Sequence, residues 1–215
     1  MGSNETFDIA GPAGRLEALL TRPAETPAAA AVVCHAHPLH GGMMHYKVVF
    51  RAAKAMQQAG IAALRFNFRG VGRSEGAYDR GVGEQEDLRA AMDEMERRYP
   101  GLPLVVGGFS FGSSMALRVT ATDPRPQAVF ALGFPFARVP RHSSFVEPIR
   151  VPRLFVQGEH DEYGRGDELR ELAARLAGSV SVTVVPEADH FFHGQLDQMQ
   201  DAIASWAAGR PWEAS

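Results

Sequence analysis

At 215 residues, with 45% apolar and 22% charged side chains, the chain has the make-up of one ordinary globular domain, large enough to bury about 70% of its unfolded surface. A formal net charge of −3 offers no basic footprint for nucleic acid, and no apolar run approaches the roughly 18 residues that a membrane span needs. The first residues lack the basic and apolar segments of a secretory leader, and the single cysteine, Cys34, suits a reducing cytoplasm and excludes an internal disulfide.

In chain order, the periodicity predicts strands at Phe7–Ile9 and Leu16–Thr21, arranged as an antiparallel pair, then a Pro/Ala-rich link. A buried strand follows at Ala29–His35, and a helix at Lys47–Gln58 carries Val48, Val49, Ala52, Ala55 and Met56 on one face, with Gly60 as its stop. Ile61–Phe66 reads as a strand and Glu84–Tyr99 as a helix closed by Pro100-Gly101. The strand Leu104–Phe109 precedes a helical run from Ser113 to Thr122. Strands at Ala128–Leu132 and Arg153–Gln157, a helix at Asp167–Leu176, a strand at Val180–Val185 and a helix at Leu196–Ala207 complete the chain. Alternating short apolar strands and helices imply an α/β fold, with a mostly parallel sheet covered on both faces and one domain over residues 1–215. In such a sheet, chemistry collects at the carboxyl ends of the strands.

One strand-to-helix junction carries the sequence Gly108-Phe109-Ser110-Phe111-Gly112. A G-x-S-x-G at such a junction makes a turn so tight that the serine takes a strained backbone conformation and the flanking positions must lack bulk. The hydroxyl is then exposed beside a helix N-terminus, where N–H groups favour developing negative charge. A serine needs a base, and the base needs an orienting carboxylate. Both follow in the order this junction requires. The strand Arg153–Gln157 runs into a turn ending at Asp161, and Val180–Val185 runs into a loop ending at His190. Ser110 is therefore read as nucleophile, His190 as general base and then acid, and Asp161 as the orienting carboxylate. Glu159 and Glu162 are substitutes for Asp161, and His193 competes with His190.

An oxyanion hole needs two donors. The N–H of Phe111, next to the nucleophile, is one, and the loop from His35 to His45 is the source of the other. Within that loop the backbone N–H of His37 is favoured, with Leu39 close behind, because Pro38 has no N–H to donate. The pair His35-x-His37 also matches a metal pair at a strand end, and with it a metal-dependent hydrolase. However, an eight-stranded barrel of that kind needs about 250 residues, and no second His pair follows a strand. A structural role for these rings is the favoured reading, with no metal. The run Arg65-Phe66-Asn67-Phe68-Arg69-Gly70-Val71-Gly72-Arg73-Ser74 lacks the phosphate-loop signature and reads as a shaped turn whose arginines tie loops together, with Arg69 and Arg73 as alternatives for substrate contact.

Taken together, the elbow, the Gly158-x-x-Asp161 turn, the Asp189-His190 turn and Arg69-Gly70-x-Gly72-x-Ser74 resemble the α/β-hydrolase superfamily over essentially the whole chain. The His/Pro/Gly loop at 35–42 with Arg65-Phe66-Asn67-Phe68-Arg69-Gly70 is similar to a subgroup of small, lidless bacterial hydrolases. The chain is similar in size to dienelactone hydrolases, which carry cysteine where Ser110 stands. The resemblance implies the α/β-hydrolase fold and hydrolysis of a small-molecule carboxylic ester, thioesters included, through an acyl-enzyme and without a cofactor. Family lids follow the sixth strand, and the interval from Gly133 to Val151 is too short for a helical one. An open site is therefore expected, with Phe134 and Phe136 as substrate walls and Phe109, Phe111 and Phe145 as further candidates. The competing class is a non-catalytic ligand- or partner-binding protein on the same fold.

Overall fold

In the computed structural model, which describes residues 2–138 and 145–213, the chain opens with an antiparallel hairpin of β1 (Asn4–Gly11) and β2 (Gly14–Thr21), paired along its whole length from Asn4↔Thr21 to Gly11↔Gly14. The remaining strands are β3 (Ala29–Cys34), β4 (Ile61–Phe66), β5 (Leu104–Phe109), β6 (Pro126–Leu132), β7 (Arg153–Gly158) and β8 (Val180–Val185). They join the hairpin in one eight-stranded sheet of order β1-β2-β4-β3-β5-β6-β7-β8. The pairs from β4 and β3 onward to β8 are parallel, and β2 meets β4 antiparallel. Strands β3, β4, β5 and β7 are buried at every position. This explains why they read as unbroken apolar runs: both faces are covered, so no polar side remains.

The helices α1 (Lys47–Gln58) and α5 (Leu196–Ala208) cover one face, where Val48, Val49, Ala52 and Met56 meet Met199, Ile203 and the outward residues of the central strands. The other face carries α2 (Gly83–Arg98), α3 (Phe111–Thr122) and α4 (Gly166–Ala173) through Leu88, Met92, Met95, Met115, Leu117, Val119 and Leu169. Along β3, Ala29, Ala31 and Val33 face the first helix layer and Ala30, Val32 and Cys34 the second, the period of two that a pleated strand imposes.

Most boundaries agree with the sequence expectations, and α1, β4, β5 and β8 agree residue for residue. Strands β2 and β6 each begin two residues earlier than expected, β3, β7 and α5 differ by one residue at one end and α2 by one at each end, and the differences at β1, α4 and α3 have physical reasons. Strand β1 runs from Asn4 to Gly11, beyond the expected Phe7–Ile9, because hairpin pairing carries residues that have no apolar alternation of their own. Helix α4 ends at Ala173, three residues short of Leu176, where the Arg175 and Leu176 amides bond three residues back and tighten the last turn. Helix α3 begins at Phe111, directly after the serine, because the elbow leaves no intervening loop. Single 3-10 turns at Pro38–His40, Phe136–Arg138 and Pro211–Glu213 are too short to leave a periodicity.

Loop anchoring uses the motif after β4. Arg69 makes a paired contact from Nε and Nη2 to the fully buried Asp87 carboxylate on α2 at 3.0 and 2.7 Å, and its own N–H also donates to Asp87. Arg73 bonds Glu17 through its backbone N–H and Nε. The two arginines tie this loop to α2 and β2, where the expectation had them joining loops, and their charges are answered by protein carboxylates.

Candidate active site

Ser110 sits between β5 and α3 with φ 55° and ψ −115°, well outside the ordinary left-handed region. Such a conformation costs about 1–3 kcal/mol and persists only where the surroundings dictate it. Here the Ser110 N–H donates to Leu132 O at 2.9 Å, and the Ser110 carbonyl accepts from the Ser113 N–H and Oγ at 3.0 and 2.6 Å. The flanking glycines are required by contact. A Cβ on Gly108 would lie 2.6 Å from the Gly112 carbonyl carbon, and one on Gly112 would lie 2.5 Å from both the Cys34 and His35 carbonyl oxygens. The elbow is thus pressed directly against the end of β3.

The Ser110 Oγ lies 3.0 Å from His190 Nε2, and His190 Nδ1 lies 2.8 Å from Asp161 Oδ2. A carboxylate only accepts, so His190 Nδ1 carries the proton and Nε2 presents its lone pair to the serine. His190 is 5% exposed and Asp161 is fully buried. The His190 ring is held among Tyr163, Phe109 and Phe191, with centroids 4.4, 5.0 and 5.1 Å away. The alternatives stay apart from this line. His193 pairs with Asp189 at 2.6 Å on the surface, the Glu159 carboxylate accepts the Glu187 N–H, and Glu162 is exposed.

Asp161 is held by more than the histidine. Its Oδ1 accepts the Tyr163 N–H at 2.8 Å, and its Oδ2 accepts from Gln157 Nε2 at 2.7 Å. Gln157, fully buried at the end of β7, also donates to Gly164 O and accepts the Phe134 N–H at 2.9 Å. One amide therefore locks the acid turn to the loop after β6. Sequence reasoning passes over this residue, although a glutamine inside the apolar strand Leu154-Phe155-Val156 is itself a signal, since a buried amide must find partners. Gln157→Leu removes a charge-assisted donor from Asp161 and orphans the Phe134 N–H and the Gly164 carbonyl. The expected result is a loss of about 2–4 kcal/mol in denaturant unfolding, together with an activity loss of about tenfold in any enzyme assay of the fold.

At the N-terminus of α3, the Phe111 N–H is the first amide of the helix and has no acceptor within it. The His37 N–H donates to no protein acceptor among the described residues, and the His37 and Phe111 rings lie 5.2 Å apart, bringing the loop and the elbow together. The Leu39 N–H differs from expectation: it donates to His37 Nδ1 at 3.2 Å, so it is engaged within its own loop. Partial burial, then the neighbouring His40, push the His37 imidazole below the ordinary histidine range, which keeps that ring nitrogen an acceptor.

The rings also sort differently from expectation. Phe134 is 1% exposed and packs at about 6 Å against Phe136, Phe145 and Phe155, so its side chain fills the core and lines no open wall. Its ring contacts include Phe145 and Phe155 in later segments of the chain, and no local pattern announces them. Phe136 is half-buried against Gly164, Phe109 is fully buried, and Phe145 lies under the Arg118 guanidinium. The half-buried rings beside the serine and histidine come from other loops: Tyr78 and His37 against Phe111, and Tyr163 and Phe191 against His190. They lie up to 81 residues from Ser110 in sequence, 191 − 110 for Phe191, and no local pattern marks them.

His35 is fully buried, with Nδ1 bonded to Ala36 O at 2.6 Å and Nε2 accepting the Phe68 N–H at 3.0 Å. Both nitrogens are committed to backbone, which leaves no lone pair for a metal. Burial pushes this histidine down to about 4. Because the folded value lies below the unfolded one, the unfolded chain binds the extra proton as pH falls, and stability is lost from about pH 6.5 downward. His35 should contribute a loss of about 3 kcal/mol between about pH 7 and pH 4. Urea unfolding of His35→Gln, whose side chain keeps an acceptor near Phe68, should show a correspondingly shallower pH slope than the wild type.

Residues 27–208 match the family model described as "Alpha/beta hydrolase domain". An uncharacterized protein of Rickettsia prowazekii (strain Madrid E) is 34% identical over 200 residues, which covers 90% of this chain and 84% of that protein. Among solved structures, an alpha-beta serine hydrolase homologue from Coxiella burnetii is 36% identical with a TM-score of 0.85, covering 94% of this chain and 96% of its own. A serine hydrolase without a lid from Xanthomonas campestris is 32% identical with a TM-score of 0.85, covering 97% and 94%. The short β6–β7 interval agrees with that description: its described residues hold one 3-10 turn and no helix. With the sheet order, the elbow and the match over most of its length, the chain belongs to the alpha/beta hydrolase family.

Proposed function

We propose that the protein is a serine hydrolase that cleaves small to medium carboxylic esters, thioesters included, through an acyl-enzyme. The observation that carries this reading is the continuous line Ser110 Oγ, His190, Asp161, with links of 3.0 and 2.8 Å. In this reading His190 Nε2 takes the Ser110 proton as Oγ attacks the acyl carbon. The tetrahedral oxyanion faces the N–H groups of Phe111 and His37, at the positive end of α3. His190 then returns the proton to the leaving alcohol or thiol, and a water deprotonated by the same ring hydrolyses the acyl-serine. Every proton is accounted for by Ser110, His190 and water, so the cycle balances without a cofactor.

The test is a fluorophosphonate probe combined with a panel of short p-nitrophenyl esters and acyl thioesters. Covalent labelling at Ser110 and turnover of the shorter esters are expected. A protein that neither labels nor turns over any panel member is a binding protein on this fold, and the reading fails.

A further inference from the structure

The charges of Arg69 and Arg125 are each answered by carboxylates: Asp87 for the first, and Asp123, Asp93 and Glu96 for the second. Arg65 is different. It lies on β4, on the face it shares with Ile61 and Ala63, and its guanidinium sits 5.4 Å from the Phe50 ring on α1. It is 4% exposed. Among the described residues, its guanidinium makes one hydrogen bond, from Nη1 to the Met44 carbonyl at 2.9 Å. Among those residues the Nε–Nη2 edge, which Arg69 uses on Asp87, meets no acceptor, and Nε is buried without a partner.

Burying a guanidinium without an anion costs several kcal/mol, and a family of compact enzymes has a simpler filler in methionine or leucine. Arg153, the other buried arginine with an unpartnered Nε, is not comparable, because its two terminal nitrogens both reach carbonyls, of Val146 and Ala177. Arg65 instead lines a cavity of about 480 Å³, within the size range of small-molecule sites. Its other walls include Asn4, Thr21, Phe50, Lys54 and Gln57, and no carboxylate lines it. The nearby acid Glu5 is taken by Arg22 and Arg98. Two cations therefore face one cleft with no counter-charge, and the cleft shares no lining residue with the Ser110 site. Burial also lowers the Arg65 pKa, the direction expected of a cation lacking its partner.

We infer that this cleft between β4, the β1–β2 hairpin and α1 is a second binding site, for a small molecule bearing a carboxylate or phosphate group. The oxyanion takes the Nη2 end of the Arg65 guanidinium, Lys54 closes over it from the surface, and Phe50 flanks the body of the ligand. Because Arg65 Nη1 holds Met44 at the end of the loop that carries His37, an occupied cleft also braces that loop.

The experiment uses the whole 15N-labelled chain titrated separately with inorganic phosphate and with acetate. Saturable amide shifts confined to residues 4, 21, 22, 24, 50–58 and 65 are expected, with a Kd of about 1 mM or tighter for one of the two anions. Whichever anion binds more tightly names the head group. Arg65→Met should abolish saturation. Lys54→Met, an exposed substitution that cannot unfold the core, should weaken it by about tenfold. Shifts that do not saturate, that map elsewhere, or that persist unchanged in both variants overturn the inference. Should Arg65→Met fail to fold, Lys54→Met decides alone. None of these outcomes depends on whether Ser110 is a nucleophile.

Discussion

Ser110→Ala should lower kcat for the best ester of the panel by on the order of 10⁶ and abolish fluorophosphonate labelling, while leaving the fold intact. The effect is large because His190 has no other hydroxyl to deprotonate at 3.0 Å, and because water, unlike Oγ, is not held at that position by the chain. The structural cost is small. Ser110 is half-buried, its Oγ bonds only to His190 in the site line, and its strained backbone is held by Leu132 O and the Ser113 side chain, all of which the alanine variant keeps. Thermal unfolding should therefore shift by no more than about 0.5 kcal/mol in stability. A variant that retains more than about 1% of wild-type turnover shows that Ser110 is not the nucleophile.

Asp161→Asn should cost about 10⁴ in kcat/KM, second only to loss of the serine. Both carboxylate oxygens already accept: Oδ1 from the Tyr163 N–H, and Oδ2 from both Gln157 Nε2 and His190 Nδ1. An asparagine must place its NH₂ at one of these positions. At Oδ1 it faces the Tyr163 amide, donor against donor. At Oδ2 it faces the Gln157 amide and forces His190 into the tautomer with the proton on Nε2, where the ring cannot take the serine's proton. Either arrangement leaves a buried donor unpaired, which costs about 1–3 kcal/mol in stability. Urea unfolding and ester kinetics on the same preparation separate the two effects. An Asp161→Asn variant with near-normal kcat/KM shows that Asp161 does not orient the base.

Features of this protein differ in the distance along the chain over which they are specified. The strand and helix order follows from apolar periodicity, which acts over a few residues. Strands buried on both faces announce themselves as continuous Ala/Val/Leu/Phe runs. The elbow is equally local, because Gly108 and Gly112 answer to contacts with the adjoining turn and with the end of β3, and the serine's geometry follows from their smallness. The order of Ser110, Asp161 and His190 follows from the order of strand ends that the alternating pattern already lays out.

Side-chain direction at those strand ends is another matter. Whether Phe134 lines a site or fills the core is settled by its contacts with Phe145 and Phe155. The Leu39 N–H donates to the His37 ring within its own loop, a contact that depends on the loop's path. His190, and not His193, meets Ser110, because Asp189 captures His193 on the surface. Gln157 and the uncompensated Arg65 gain their meaning from partners, or the want of them, in segments far along the chain. The amino-acid sequence by itself determined the fold class, the element order and the residue types at the strand ends, since these rest on local sterics and burial. Only the tertiary structure decided which of those residues face one another, since a hydrogen bond of 3 Å depends on loop paths that periodicity does not describe.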